Sequence, residues 1–270
     1  MMAHDDTGRA LSASSLVRET PDVETASDDY ARRFTGAAGQ FFLRVQTNAL
    51  KCLIGDLQGA SVLEVGGGHA QLVPTFLDYG CRLTILGSTD DTHARVRRLY
   101  PDAGITLDSG DLLSLPYPDR SFDAVVAVRL VAHVEAWERL LSELCRVARR
   151  AVIVDYASWR SLNVLTPLLF RLKKSIEKDT RVYTSFRPWQ LANAFDQQGF
   201  AVTDSYGQFF LPMFIHRALS GASLLRRAEG AFRSAGLTSV LGSPVLLRAD
   251  RRPEAGGARP NALLSSRLPE

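Results

Sequence analysis

Ser61-Val62-Leu63-Glu64-Val65-Gly66-Gly67-Gly68-His69-Ala70 is the stretch whose reading decides the fold. Val62, Leu63 and Val65 form a short apolar run bounded by glycine, which reads as a buried parallel strand. Three glycines follow, then Gln71 to Leu77 with apolar residues at helical spacing. Strand, glycine turn and helix together make the opening unit of a nucleotide-binding α/β domain. Glycine suits such a turn because a side chain would hold the backbone away from a ligand at the strand end. Glu64 is an acid inside this apolar strand, and a buried carboxylate requires donors, either backbone N–H groups of the turn or a ligand ammonium.

A dehydrogenase phosphate turn needs Gly-x-Gly-x-x-Gly, but counting from Gly66 places Gln71 at the last position. The glycine run alone leaves the cofactor open. The passage Gly110-Asp111-Leu112-Leu113-Ser114-Leu115-Pro116-Tyr117-Pro118-Asp119-Arg120-Ser121-Phe122-Asp123 is more specific. Together with Glu64-Val65-Gly66-Gly67-Gly68 it resembles the class I S-adenosylmethionine (SAM) methyltransferases, in the group of quinone-biosynthesis and small-molecule enzymes. The resemblance covers about 61–156 strongly, 30–60 and 186–206 weakly, and neither tail. It implies a seven-stranded Rossmann-like sheet, mostly parallel with an antiparallel last strand, and helical insertions forming a lid. It also implies SAM as cofactor, held by Glu64, Gly66, Gly67, Gly68, Gly87, Ser88, Asp111, Leu112 and Arg129. Asp111 would accept from the adenine amino group, a task that suits a group able only to accept. One departure stands out. The family ends its second strand with an acid that binds the ribose hydroxyls, and this chain has Gly87 there. Asp90 and Asp91 follow, either as ribose ligands or as acids favoured by a helix N-terminus.

Around this centre, strands are expected at 82–86, near 105–107, at 124–128 and at 151–156, alternating with helices, so a parallel sheet is the economical topology. Strands at 200–206 and 243–249 complete it. An amphipathic helix runs from about Gln40 to Leu57, with Gly36 and Gly39 breaking the segment ahead of it. Residues 1–28 are polar and acidic and read as a disordered tail, 29–250 as a single domain with helical insertions at 157–187 and 209–241, and 251–270 as a second disordered tail. Tyr30 and Phe34 either touch the cofactor or serve as a packing staple.

Of 270 residues, 46% are apolar and 23% charged, which is ordinary for a globular domain. The net charge of +3 is too small to argue for nucleic acid. Cys52, Cys81 and Cys145 have no metal-ligand spacing and read as buried, inert thiols, so no metal site and a cytoplasmic location are expected. The apolar and basic stretch 209–241 reads either as core or as a face for peripheral membrane contact. The sequence leaves the oligomeric state open.

The function expected is methyl transfer from SAM to a small, lipophilic or aromatic acceptor on O or C. The alternative, prompted by Gly87, is a non-catalytic methyltransferase-like subunit that binds SAM weakly or not at all. His133, following a strand's carboxyl end, is the candidate base, and Asp155 on the next strand would orient it. Arg181, Tyr183 and His216 from the insertions are candidate substrate residues.

Overall fold

In the computed structural model, residues 18–161, 183–219 and 223–253 are described. The alternation of short apolar runs with amphipathic segments produces β1 (Ser61–Val65), β2 (Arg82–Gly87), β3 (Thr106–Ser109), β4 (Phe122–Ala127) and β5 (Ala148–Ser158). These five are parallel, and β1 lies centrally between β2 and β4. A short β6 (Ser185–Phe186) pairs with the end of β5, while β7 (Phe200–Gly207) and β8 (Val245–Arg251) close the sheet in the order β3-β2-β1-β4-β5-β8-β7. β8 is antiparallel to both β5 and β7. The expected seven-stranded order with its reversed last strand is observed, and the two-residue β6 adds an eighth strand beside β5.

Helices cover both faces because each central strand is apolar on both sides. On one face α3 (Gly36–Leu53), α4 (Val73–Asp78) and α5 (Ala94–Leu99) pack on Val62, Ile85, Val126 and Ile153. On the other, α6 (Trp137–Val147) and α7 (Pro188–Gln197) bury Leu140, Leu144 and Phe195 against Leu63, Val125 and Val152. Gly39 does not break α3. A Cβ there would sit 2.1 Å from the backbone carbon of Phe34, so glycine lets the preceding turn lie directly on the helix.

The structured chain begins earlier than expected. Residues 18–28 are not a loose tail: α1 (Asp22–Ala26) buries Asp22 and Thr25, and α2 (Asp28–Arg32) follows from its N-cap Ser27. Residues 1–17 and 254–270 lie outside the described residues, as do 162–182, where most of the first expected insertion falls. The second insertion contains α8 (Met213–Ala218), α9 (Ser223–Ser234) and α10 (Leu237–Leu241). Its most apolar part is core, since Phe209 and Phe214 are buried. The exposed Leu219, Leu224, Leu237 and Val240 are spread along 209–241, the last two on α10. Among the described residues no helix is long and apolar enough to cross a membrane. Cys81 and Cys145 are buried, as expected, but Cys52 is exposed.

Leu63 is fully buried at the centre of the larger core cluster. Leu63→Ala is expected to cost about 2–5 kcal/mol, lowering the urea midpoint with an unchanged slope, as equilibrium unfolding would show.

Candidate active site

The carboxyl ends of β1, β2 and β4 meet at one edge, where parallel α/β sheets bind their ligands. After β1 the chain turns through Gly66 at φ 74° and a 3-10 turn, Gly67–His69. The glycines serve the chain's own packing first. A Cβ on Gly67 would lie 2.4 Å from Cδ of Glu64, and one on Gly68 would lie 2.3 Å from the carbonyl oxygen of Thr92.

Glu64 is therefore folded beneath the turn and fully buried, and neither carboxyl oxygen has a hydrogen-bond partner among the described residues. The compensation expected from turn N–H groups is not there. Burial pushes its pKa up to about 8, so the group is mainly a neutral acid at pH 7. His69 lies with Nε2 3.7 Å from Glu64 Oε1, too far for a hydrogen bond. Burial, and then the positive charge of Arg129, lower the imidazole to about 3. Two neutral groups face each other here, and no ion pair exists between them.

Gly87 ends β2, where an acid was expected by resemblance. A Cβ there would fall 1.9 Å from Thr92 Oγ1, because the 3-10 turn Asp90–His93 folds back onto the strand end. Asp90 pairs with Arg97 at 2.9 Å on the surface, which agrees with its reading as a helix-terminal acid. Ser88 follows, its Oγ buried and without a partner. Its N–H donates to Asp22 Oδ2 at 2.7 Å, and the other Asp22 oxygen is buried and unpartnered. Asp22 thus brings a carboxylate to the end of β2 from far along the chain.

The rest of the N-terminal segment continues across this edge. The Arg18 guanidinium donates to the carbonyls of Ser88 and, at 2.5 Å, Gly110. Glu19 accepts from the N–H groups of Glu135 and Ala136 at 2.7 and 2.9 Å. Ala26 Cβ stands 2.9 Å from the place a Gly68 Cβ would take, and Asp22 Cβ 3.5 Å from that of Gly66. Asp111 Oδ1 accepts from the Leu113 N–H at 2.9 Å, the turn role open to any aspartate there, and Leu112 is buried.

Arg129, at φ 63°, begins the turn after β4. Its N–H donates to Asp155 Oδ1 at 2.6 Å, and its guanidinium donates to Gln46 Oε1 and the Tyr30 hydroxyl while lying 4.2 Å over the Phe34 ring. Tyr30 and Phe34 accordingly hold Arg129. Asp155 is buried, and desolvation lifts it to about 6 against the opposing charge of Arg129. Asp155 thereby fixes the start of the turn that carries His133, the residue whose imidazole it was expected to orient. His133 is half-buried in the 3-10 turn Val131–His133.

Two of the three candidate substrate residues, Tyr183 and His216, are described. Arg181 lies outside the described residues, and Tyr183 is exposed. His216 is enclosed by Phe41, Phe42 and Phe209, with Nε2 3.0 Å from Glu229 Oε1. That pair braces α8 against α9 inside the protein, where His216 is fully buried. Sequence reasoning missed Arg18, Glu19, Asp22 and His69. Only His69, beside the glycine run, carried a local signal.

The residues at this edge suit a SAM nucleoside and amino acid in kind. A buried acid, a strand-end N–H, an unpartnered hydroxyl and the Asp111 carboxylate supply complementary groups for an ammonium, a diol and an exocyclic amine. Residues 63–154 match the family model described as a methyltransferase domain. The chain is 37% identical to a phosphatidylethanolamine N-methyltransferase of Cereibacter sphaeroides over 111 residues, 37% of this chain and 53% of that protein. It is 28% identical to a demethylmenaquinone methyltransferase of Tropheryma whipplei over 189 residues, covering 63% and 78% of the two. The chain spans about half or less of the length of the first curated relatives it matches. The magnesium protoporphyrin IX methyltransferase of Synechocystis, solved with bound SAH, superposes with a TM-score of 0.58 at 14% identity, over 83% of this chain and 94% of that one, a likeness of fold.

Two measurements follow from the site's packing. Gly87→Ala forces Thr92 away, and overpacking of this kind costs about 1–3 kcal/mol; the melting temperature falls, and Thr92→Gly in the same chain restores part of it. Glu64 has a folded pKa near 8 against an ordinary 4.5. The unfolded chain binds fewer protons than the folded one between those values, so this group's contribution to stability falls as pH rises from about 4.5 to 8. Glu64→Gln should gain stability relative to the parent between pH 5 and pH 8, by an amount on the order of a few kcal/mol, in denaturant titrations at the two pH values. Residues 63–154 thus match a methyltransferase domain, and they lie in a sheet with the strand order of the Rossmann-like methyltransferase fold.

Proposed function

We propose that this protein transfers a methyl group from SAM to a small lipophilic acceptor. The observation that carries this is the edge itself: Glu64, the glycine turn, Ser88 and Asp111 converge at the ends of β1 and β2 and beyond β3. Glu64, with no hydrogen-bond partner among the described residues, would meet the amino group of the methionine part, and Asp111 and Leu112 the adenine. Arg129 would keep the floor of the site in place through Asp155, Gln46 and Tyr30. The bound cofactor supplies an electrophilic methyl on a sulfonium, and the protein's work is then positioning.

His133 is the residue proposed to take the acceptor's proton. It stands on the turn after β4, which Asp155 fixes from β5 and which the Thr184 N–H ties at Ala132 O, 2.7 Å. The lipophilic class draws support from two sides. The relatives named above act, by their names, on phosphatidylethanolamine and demethylmenaquinone. Beyond the end of β5, a cleft of about 300 Å³ is lined by Trp159, Arg160, Arg187, Pro188 and Trp189, with both indoles about half exposed.

Titration calorimetry with S-adenosylhomocysteine (SAH) tests the reading. Binding is expected, weakened at least about tenfold by Asp111→Ala, since losing a buried hydrogen bond to a charged group costs about 1.5–3 kcal/mol. Absence of binding in the parent chain would end it. His133→Ala is expected to lower turnover of a lipid-like acceptor while leaving SAH affinity unchanged.

A further inference from the structure

We propose that residues 18–26 act as an intramolecular occupant of the nucleoside groove, which the cofactor must displace to bind; this rests on the reading of that groove given above. The groove's floor is the glycine turn, its end wall is Ser88, and its far rim is Gly110-Asp111. The segment covers all three. Ala26 and Asp22 lie on Gly68 and Gly66, Asp22 accepts from the Ser88 N–H, and Arg18 donates across from Ser88 to Gly110.

The side chains reproduce the polarity of a nucleoside. A planar guanidinium offers N–H groups to carbonyls beside Asp111, where an exocyclic amine would donate. A carboxylate accepts from the strand-end N–H, where a ring nitrogen or hydroxyl oxygen would accept. Glu19 adds a third clamp on the Glu135 and Ala136 N–H groups, in front of α6.

The same contacts are poorly secured, as a displaceable element requires. α1 has five residues and no side-chain cap at Pro21, and helices this short have little stability of their own. Arg18 and Val23 are exposed. One Asp22 oxygen is buried without a partner, a cost that leaving the groove removes. A cavity of about 210 Å³ lined in part by Val23, Ala26, Thr92 and Arg95 separates the segment from the start of α5, so that flank is not closely packed. Immediately after it, the chain is anchored. Ser27 has extended backbone and caps α2, and Asp28 is paired with Arg95 at 2.9 Å and Arg98 at 2.6 Å on α5. The bend at Ser27 is therefore the place where 18–26 would swing out while α2 stays docked.

An occupant that closes the groove in the free protein reduces apparent ligand affinity by the fraction of molecules that are open. The test compares SAH affinity in the parent, in Arg18→Ala/Asp22→Ala and in the conservative Asp22→Asn, by calorimetry on the full chain. Hydrogen exchange of residues 18–26 is followed with and without SAH. Removing the three hydrogen bonds of Arg18 and Asp22 is expected to tighten SAH binding by roughly tenfold or more, with a smaller gain for Asp22→Asn. In the parent, SAH is expected to speed exchange across 18–26. Weaker or unchanged binding by the double variant, or protection of 18–26 by SAH, would overturn the proposal and make the segment a lid that helps hold the ligand. If that occurs while the parent binds SAH and Asp111→Ala weakens binding, the SAM reading stands and the occupant alone is lost. If no variant binds SAH at all, both fall.

Discussion

The carboxyl group of Glu64 lies against the backbone of Gly67 in a space that a single methyl group would close. That contact governs the edge of the sheet where the site is built. An acid on a central strand has nowhere to go but along the face or under the turn, and glycine lets the turn descend over it. Once covered, the acid loses water, stays protonated up to about pH 8, and faces an imidazole that burial keeps neutral. The result is a strand end that is polar yet uncharged, held without a hydrogen bond to the acid. Such a site is poised for a cationic group, whose arrival would favour the ionised form.

The remainder of the edge follows from how neighbouring strand ends are braced. β4 is held to β5 by the Arg129 N–H and Asp155, and Arg129 in turn reaches Gln46 on α3 and Tyr30 on α2. Through that one guanidinium the helices before the sheet are tied to its centre. β2 is closed by the fold-back of Thr92 onto Gly87, and the segment 18–26 lies across everything between. The chain before the first strand thereby belongs to the site, although its composition resembles that of a tail.

Much of the fold was legible because its signals are local. Continuous apolar runs gave the central strands, and the period of Leu140, Leu141, Leu144 and Val147 gave α6. The antiparallel last strand came with the resemblance, which the sheet order upholds. What escaped is non-local. Asp22 meets Ser88 across 66 positions and Arg18 meets Gly110 across 92, and an acidic stretch poor in apolar residues gives no sign of either contact. Gly87 read as a missing acid, yet its absent Cβ makes room for Thr92, a demand visible only in three dimensions. His216 read as a polar group in an insertion, but its partner Glu229 and its aromatic shell come from separate elements. Gly39 likewise read as a break, because the Phe34 backbone that needs its bare Cα could not be placed beforehand.

The most direct examination is a crystal structure of the full chain grown with millimolar SAH. The nucleoside is expected between Ser88 and Asp111, with its amino group toward Glu64 and residues 18–26 withdrawn from the glycine turn. SAH bound elsewhere, or a well-ordered 18–26 still joined to Ser88 and Gly110 with no ligand density beside them, would contradict the account.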